Sequence, residues 1–480
     1  MRPTPRPARL LAQEESEILD GACEPRPRVV PRHDIEHDVT ALRQRGLTTT
    51  SAGGVFFLPS LLPRGADDRA QALGPAKHDG LPKERRARGL VFASLVGSTA
   101  GLRTVDPVRR ADFGLLAGLP LLPSPSAQYR CRQDVAGQDG LEFQTAMGPR
   151  LVALGPITPA HPVHVDGHNV KPSSRQAMQH SFSTQEARDG KALRTFSPHD
   201  QTSKNPRIAL PASSGTTVSQ VTRRVARLTR TILGRDFLLV ADQEWSCGQL
   251  IQALHTQYGV AVLPPITSSP KRLREVNAGP LEQYAQTVWG NVAAGYPTMT
   301  DCDGPLRLVL KQPPGGTSCA RITPACAMPA DTAMPTATKR WRIENFCAEN
   351  AFLGMHQLPA LQLNALQTML SLRLLAFHGM DHFRHDLGPA SQKQTPALIP
   401  RECVDGVQGR GQVRGTIIEV NIYGFEHAAA AAAILTNLDT QLASAGVDPR
   451  IPWLGNRRLR FTFHCPSAQK VYTGTWLNYC

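Results

Sequence analysis

The sequence predicts an α/β fold, with helices laid on a sheet, and three stretches carry that expectation. The first, "TTVSQVTRRVARLTRTILG", sets Val218, Val221, Val225, Leu228 and Ile232 on one stripe of a helix that Gly234 ends, with Arg223, Arg224, Arg227 and Arg230 around the rest. The second, "RDFLLVADQEW", is a short apolar run with the signature of a buried strand, giving out at Asp242. The third, "SCGQLIQALHTQYG" followed by "VAVLPPI", repeats helix and strand. Helix, strand, helix, strand in this order bury their apolar surfaces by layering helices against a sheet.

The other segments are taken along the chain. Residues 1–32 are rich in Pro and Arg and read as a disordered basic arm. Residues 33–155 carry short helical patterns, among them "HDIEHDVTALRQRG" and "LPKERRARGLVFASLVGS", and form an N-terminal helical, DNA-binding candidate domain. Within it, "DPVRRADFGLLAGLP" and "PSPSAQYRCRQDVAG" suit a helix-turn-helix whose second helix would hold Gln128, Arg130, Arg132 and Gln133 toward a DNA groove. Two ordinary packed helices fit the same pattern.

From about residue 156 the period shortens: "ITPAHPVHVDGH" holds a strand-like run ending in Asp166, and "RIALPASSG" holds another. Residues 301–336, dense in Pro and Gly around the strand "LRLVL", read as a β-rich insertion. The helical pattern resumes at Lys339 and runs, with breaks, to about residue 385. Residues 386–480 read as a linker and a small α+β region, with strands "GTIIEVNIYG" and "RRLRFTFH" around an Ala-rich helix.

A chain of 480 residues with 53 Lys and Arg against 39 Asp and Glu carries a formal net charge of +14, which favours a polyanionic partner, nucleic acid or an anionic membrane surface alike. No apolar run reaches the eighteen or so residues of a membrane span. The N-terminus has no apolar core of a secretory signal, so cytoplasmic residence is expected. Ten scattered cysteines without a C-x-x-C pair argue for reduced thiols rather than a zinc ribbon or a disulfide framework.

Three acids stand out. Asp166 and Asp242 each follow an apolar run, at the strand ends where an open α/β sheet exposes its ligand-binding edge. Glu344 sits in "KRWRIENFCAEN", on a predicted helix, four residues after Arg340. Taken singly, Asp166-Gly167 is a hairpin pair, Asp242 is a helix cap, and Glu344 forms a surface ion pair with Arg340. Taken together, three carboxylates make an all-oxygen pocket suited to Mg²⁺ or Mn²⁺, and two such ions support in-line phosphoryl transfer. His164 and His168, in a polar stretch, read as surface or DNA-facing residues rather than zinc ligands, and Trp245 and Trp341 as core.

"HVDGHNVKP", "LLVADQEW" and "KRWRIENF" resemble, in order and setting, the three acidic motifs of DDE transposases of bacterial insertion sequences. That resemblance implies a ribonuclease H-like mixed sheet flanked by helices over 156–385. The long stretch between Asp242 and Glu344 suits the branch with a β-rich insertion before the glutamate. It further implies Asp166, Asp242 and Glu344 as metal-binding catalytic acids, Mg²⁺ or Mn²⁺ as cofactor, and cleavage and strand transfer of transposon-end DNA. The partners implied are double-stranded DNA, at element ends and target, and a second copy of the chain in the DNA complex. Lys339, Arg340 and Arg342 would hold phosphates beside the acids. His168, Lys171, Arg130 and Arg132 are further DNA-facing candidates. Ala337 and Ala351 depart from the branch, many of whose members carry tyrosine and lysine there. A ribonuclease H-like nuclease without strand transfer, or an inactive transposase-derived DNA-binding protein, shares these motifs.

Overall fold

In the computed structural model the predicted stripes and runs become elements of a mixed α/β structure. It describes residues within 47–62, 83–95, 114–119, 137–153, 162–213, 216–265, 285–338, 357–404 and 407–464, several of these ranges with short breaks. The chain divides into two compact units: Met1–Pro31, Arg64–Thr104 and Pro123–His378 form the first, and Arg32–Pro63, Val105–Leu122 and Gly379–Cys480 the second. The stretch 33–155 thus contributes to both. Among the described residues no helix is long and apolar enough to cross a membrane.

In chain order come β1 (Leu47–Thr49), α1 (Phe57–Leu61), α2 (Lys83–Leu95) and α3 (Gly137–Ala153). The central sheet then begins with β2 (Val163–Pro172). A hairpin-like pair, β3 (His180–Ser183) and β4 (Arg188–Lys191), precedes β5 (Leu193–Asp200) and β6 (Leu210–Ser213). After β6, α4 (Val218–Leu233) crosses over to β7 (Leu238–Val240), and α5 (Gly248–Tyr258) to β8 (Ala261–Leu263). The strand order is β6-β5-β2-β7-β8. Pairs β2/β5 and β5/β6 are antiparallel, whereas β2/β7 and β7/β8 are parallel. The sense follows from the connections, since a parallel neighbour requires a crossover, which α4 and α5 supply.

The stripe of α4 is buried as its spacing requires: Val221, Val225, Leu228 and Ile232 are all 3% exposed or less. Gln220 reaches back to accept the Thr217 N–H at 2.9 Å, and Gly234 closes the helix with a left-handed φ of 68°. One arginine departs from the expected polar face. At about 100° per residue Arg224 flanks the apolar stripe, while Arg223, Arg227 and Arg230 lie opposite it, and Arg224 is accordingly buried.

Two polar clusters fix this unit. Asp200 and Arg207, both side chains fully buried, pair at 2.8 Å and hold the turn from β5 toward β6, where Asp200 also accepts the Ser203 N–H. Gln144 on α3 donates to the Ala209 carbonyl (3.0 Å) and to Ser371 Oγ (2.8 Å), and accepts the Ala209 N–H (2.8 Å). The entry to β6 is thereby satisfied by a helix side chain rather than by another strand.

The β-rich insertion is a four-stranded antiparallel sheet, β12-β11-β10-β9, built from β9 (Ala285–Thr287), β10 (Gly290–Gly295), β11 (Arg307–Gln312) and β12 (Cys319–Thr323). It begins at Ala285, ahead of the expected residue 301, and α6 (Ala330–Thr338) follows it. Val309, Ala333 and Ala337 pack with Val240 and Leu263, so the insertion lies against β7 and β8. A short β13 (Gln357–Leu358) pairs in parallel with the end of β2, and α7 (Leu363–Asp386) follows.

The second unit continues through α8 (Pro389–Gln392), α9 (Leu398–Cys403), β14 (Gln408–Arg414), β15 (Ile417–Tyr423), α10 (Ala428–Thr436), α11 (Leu438–Ser444) and β16 (Arg458–His464). Its sheet has the order β1-β14-β15-β16, with β1 paired to β14. The expected strands are β15 and β16; β14 is an addition. Phe56 lies among the rings of Phe383, Phe425, Phe461 and Phe463, with centroids 5.0 to 6.1 Å away. Gly53 is required nearby, because a Cβ there would stand 1.8 Å from the Cys403 carbonyl oxygen. Burial, with Glu402 adding to it, pushes the Cys403 thiol up to about 12.

Replacing Gln144 by Ala removes the acceptor of the Ala209 N–H in the interior, while Gln367 Nε2 still donates to the Ala209 carbonyl at 3.0 Å, so urea denaturation is expected to show a loss of about 1–3 kcal/mol. Cys403 ionises near 9 once unfolded and near 12 when folded. The folded state therefore holds the extra proton, and this contribution is complete below pH 9. It is lost at up to about 1.4 kcal/mol per pH unit from 9 to 12. Denaturation midpoints across that range check it, with Cys403→Ser lacking the slope. In iodoacetamide labelling, exposed Cys247 reacts in the native state and Cys403 only on unfolding.

Candidate functional site

The site is defined by a register. In the parallel pair of β2 and β7, Val163 lies opposite Leu239 and His164 opposite Val240. Asp166 follows the last of these pairs by two residues, within β2, and Asp242 follows it by two residues, just past the end of β7. Both are half-buried. Behind them Val163, Val165, Leu239, Val240 and Ala241 are fully buried, so the two carboxylates sit at the rim of the apolar core.

Local structure fixes each acid differently. Asp166 is four residues into a strand of ten, and not at a strand end as its sequence suggests: β5 pairs along β2 from Val163 to Val170, with Ser197 opposite Asp166. Its Oδ1 accepts the Gly167 N–H at 2.8 Å. Asp242 does follow the end of its strand. Its carbonyl accepts the Trp245 N–H at 3.0 Å, opening the 3₁₀ turn Gln243–Trp245, and the buried Trp245 indole anchors that turn. Asp242 does not cap α5, whose N-cap is Cys247.

An ion pair joins β5 to the turn that follows β7. Arg194 on β5 donates to Glu244 at 2.8 Å, and its guanidinium lies 5.1 Å from the Phe196 ring centre. Gly167 makes room for it, since a Cβ there would stand 2.8 Å from Arg194 Nη2 and 3.0 Å from Phe196. Arg194 and Glu244 were not apparent in the sequence. "DQEW" displays the glutamate, but its partner is supplied by lateral strand pairing.

The other expected site residues divide as follows. Glu344, Lys339, Arg340, Arg342, Arg130 and Arg132 lie outside the described residues. His168 and Lys171 belong to β2, opposite Thr195 and Gln357 respectively, and their side chains lie outside the description. His164, expected at the surface, is buried, because it is opposite Val240 in the centre of the sheet. Ala337 is buried beside Val240 and Leu263.

Asp166 and Asp242 supply the oxygen donors that Mg²⁺ or Mn²⁺ takes. Among the described residues no group of three or more His, Cys, Asp and Glu side chains comes together to hold a metal.

No family model matches the chain, and no curated protein matches it. Among solved structures it is similar to a piggyBac transposase in a synaptic complex with hairpin DNA, studied by cryo-EM. The identity is 13% and the TM-score 0.35, over 73% of this chain and 78% of that one. A likeness of that size assigns neither fold nor function.

Proposed function

We propose that this chain is a metal-dependent DNA transposase with a ribonuclease H-like core, in which Asp166, Asp242 and Glu344 act together on the DNA backbone. The observation that carries the proposal is that the parallel pairing of β2 with β7 is followed, two residues past its last pair, by Asp166 within β2 and by Asp242 just beyond β7, both half-buried. Support for the third acid comes from its approach: α6 ends at Thr338, and Ala337 packs with Val240, two residues before Asp242. Six residues separate Ala337 from Glu344, a span the chain covers readily.

The reaction is in-line phosphoryl transfer: water cleaves the backbone at the element's end, and the freed 3′ hydroxyl then attacks target DNA. Bound Mg²⁺ or Mn²⁺ supplies charge stabilisation and lowers the pKa of water. The chain's own contribution is positional. The carboxylates of Asp166, Asp242 and Glu344 hold the ions and form no covalent bond with DNA. Lys339, Arg340 and Arg342 grip phosphates on either side of the bond to be cut. His168 and Lys171, further along β2, extend the contact, and Arg130 and Arg132 bind element-end duplex DNA. Pairing of two ends brings two copies of the chain together.

Purified protein with Mg²⁺ or Mn²⁺ and DNA bearing the element's ends is expected to yield nicked and then joined products. Asp166→Asn, Asp242→Asn and Glu344→Gln should each lower both yields by more than about a hundredfold, the upper end of the cost of losing a metal's outer-shell partner, while DNA binding persists. Nicks without joined product would leave a nuclease, and binding without nicks an inactive DNA-binding protein. Full activity in Asp242→Asn would sink the proposal.

A further inference from the structure

The sheet of the second unit has two unlike faces. Ile418, Val420, Ile422 and Leu459 face inward and are buried. The alternate residues form a regular outer grid, fixed by the strand register. Gln408, Tyr423 and His464 make one row, and Arg410, Asn421 and Thr462 the next. Gln412, Glu419 and Arg460 follow, then Arg414, Ile417 and Arg458. Four arginines therefore stand against one glutamate.

The cations are out in solvent: the side chains of Arg414, Arg460 and Arg458 are 67%, 62% and 51% exposed. Glu419 is met by Arg414 at 3.0 Å and by Arg460 at 3.9 Å, and Arg458 meets Asp439 of α11 at 3.4 Å. At the other end of the grid Tyr423 is the exposed large hydrophobic residue among those described, at 42%. Its ring stacks on His464, centroids 4.9 Å apart and planes 17° from parallel. His464 is further held by Asn421 Oδ1 at 3.1 Å. Because β16 is the outermost strand of this sheet, no described strand lies beyond the His464 ring.

We propose that this face is a binding platform for single-stranded DNA. A ready-made stack of two rings accepts a flat base as its next member, and bases offer a π-face only when unpaired. The arginines, one to three rows along the strands, meet the phosphates that follow that base. A duplex suits the surface poorly: its base faces are hidden, and its grooves are read by helices or ribbons that enter them rather than by an open sheet. The choice of DNA over RNA rests on the proposed function, whereas the geometry of stacking and charge stands without it.

The test uses the full chain in metal-free buffer, with fluorescence anisotropy of a labelled oligothymidine on the order of twelve nucleotides long. Tyr423→Ala should weaken binding about tenfold, leaving its salt dependence unchanged, while Tyr423→Phe keeps wild-type affinity. Arg414→Gln with Arg460→Gln should flatten the plot of log affinity against log salt by about 0.7 per arginine. Photocrosslinking to iodouracil-containing strand should label Tyr423 or His464. Since these side chains are exposed, unchanged melting temperatures verify the fold. Wild-type affinity in Tyr423→Ala would overturn the platform, as would a duplex competitor that displaces the strand equally well. Tighter binding of the matching RNA would overturn the assignment to DNA. None of these outcomes touches the nicking assay, so loss of the platform leaves the catalytic proposal standing.

Discussion

Everything at the candidate site depends on one parallel pairing, that of β2 with β7. Register in a sheet is all or nothing, because a slip by one residue turns every side chain to the other face. Here the register is secured from outside the pair. Val163 and Val165 on β2 and Leu239 and Val240 on β7 must all enter the core. The α4 crossover that makes the pair parallel is itself held by a buried stripe and capped at both ends. With those constraints met, Asp166 and Asp242 each fall two residues past the last paired position, His164 with Val240.

The surroundings of that pair also show what the fold spends on order rather than on chemistry. Asp200 with Arg207, and Gln144 with Ala209, are buried polar clusters whose groups satisfy backbone and charge that would otherwise be stranded in the interior. Arg194 and Glu244 are different in kind, being partly open to water, so their mutual attraction contributes little stability.

The amphipathic helix α4, the strand β7, the helix α5 and the strand β8 were legible in the sequence because each buries a contiguous stripe or run. Asp242 was legible for the same reason, lying where such a run stops. Asp166 was harder: "DGHNVKP" is polar, yet β2 continues through it because β5 supplies the hydrogen bonds that its side chains do not announce. Strand β14, "QGRGQVR", escaped altogether, since glycine and arginine carry little β-propensity and the strand gains its order from β1 and β15 on either side. Arg224 was misplaced because it borders the buried arc, and helical spacing alone does not say how wide that arc will be. The pairing of β2 with β7, like the Arg194–Glu244 pair, was invisible for a more general reason. Sequence shows what each strand wants, but not which strand will be its neighbour.

The second unit has a bearing on how the chain comes to be folded. Phe56 is enclosed by rings that include Phe461 and Phe463, far later in the chain, and β1 adds to a sheet whose remaining strands all lie beyond residue 407. During synthesis an apolar cluster around Phe56 must wait, unsheltered, until residues beyond 460 emerge before its partners exist. Such closure across the length of a chain is slow and exposes sticky surface in the interval. The ribosome thus delivers the central sheet's strands in time to pair, while the second unit is completed late, and its dependence on distant segments makes it the step at which chaperone binding and aggregation compete.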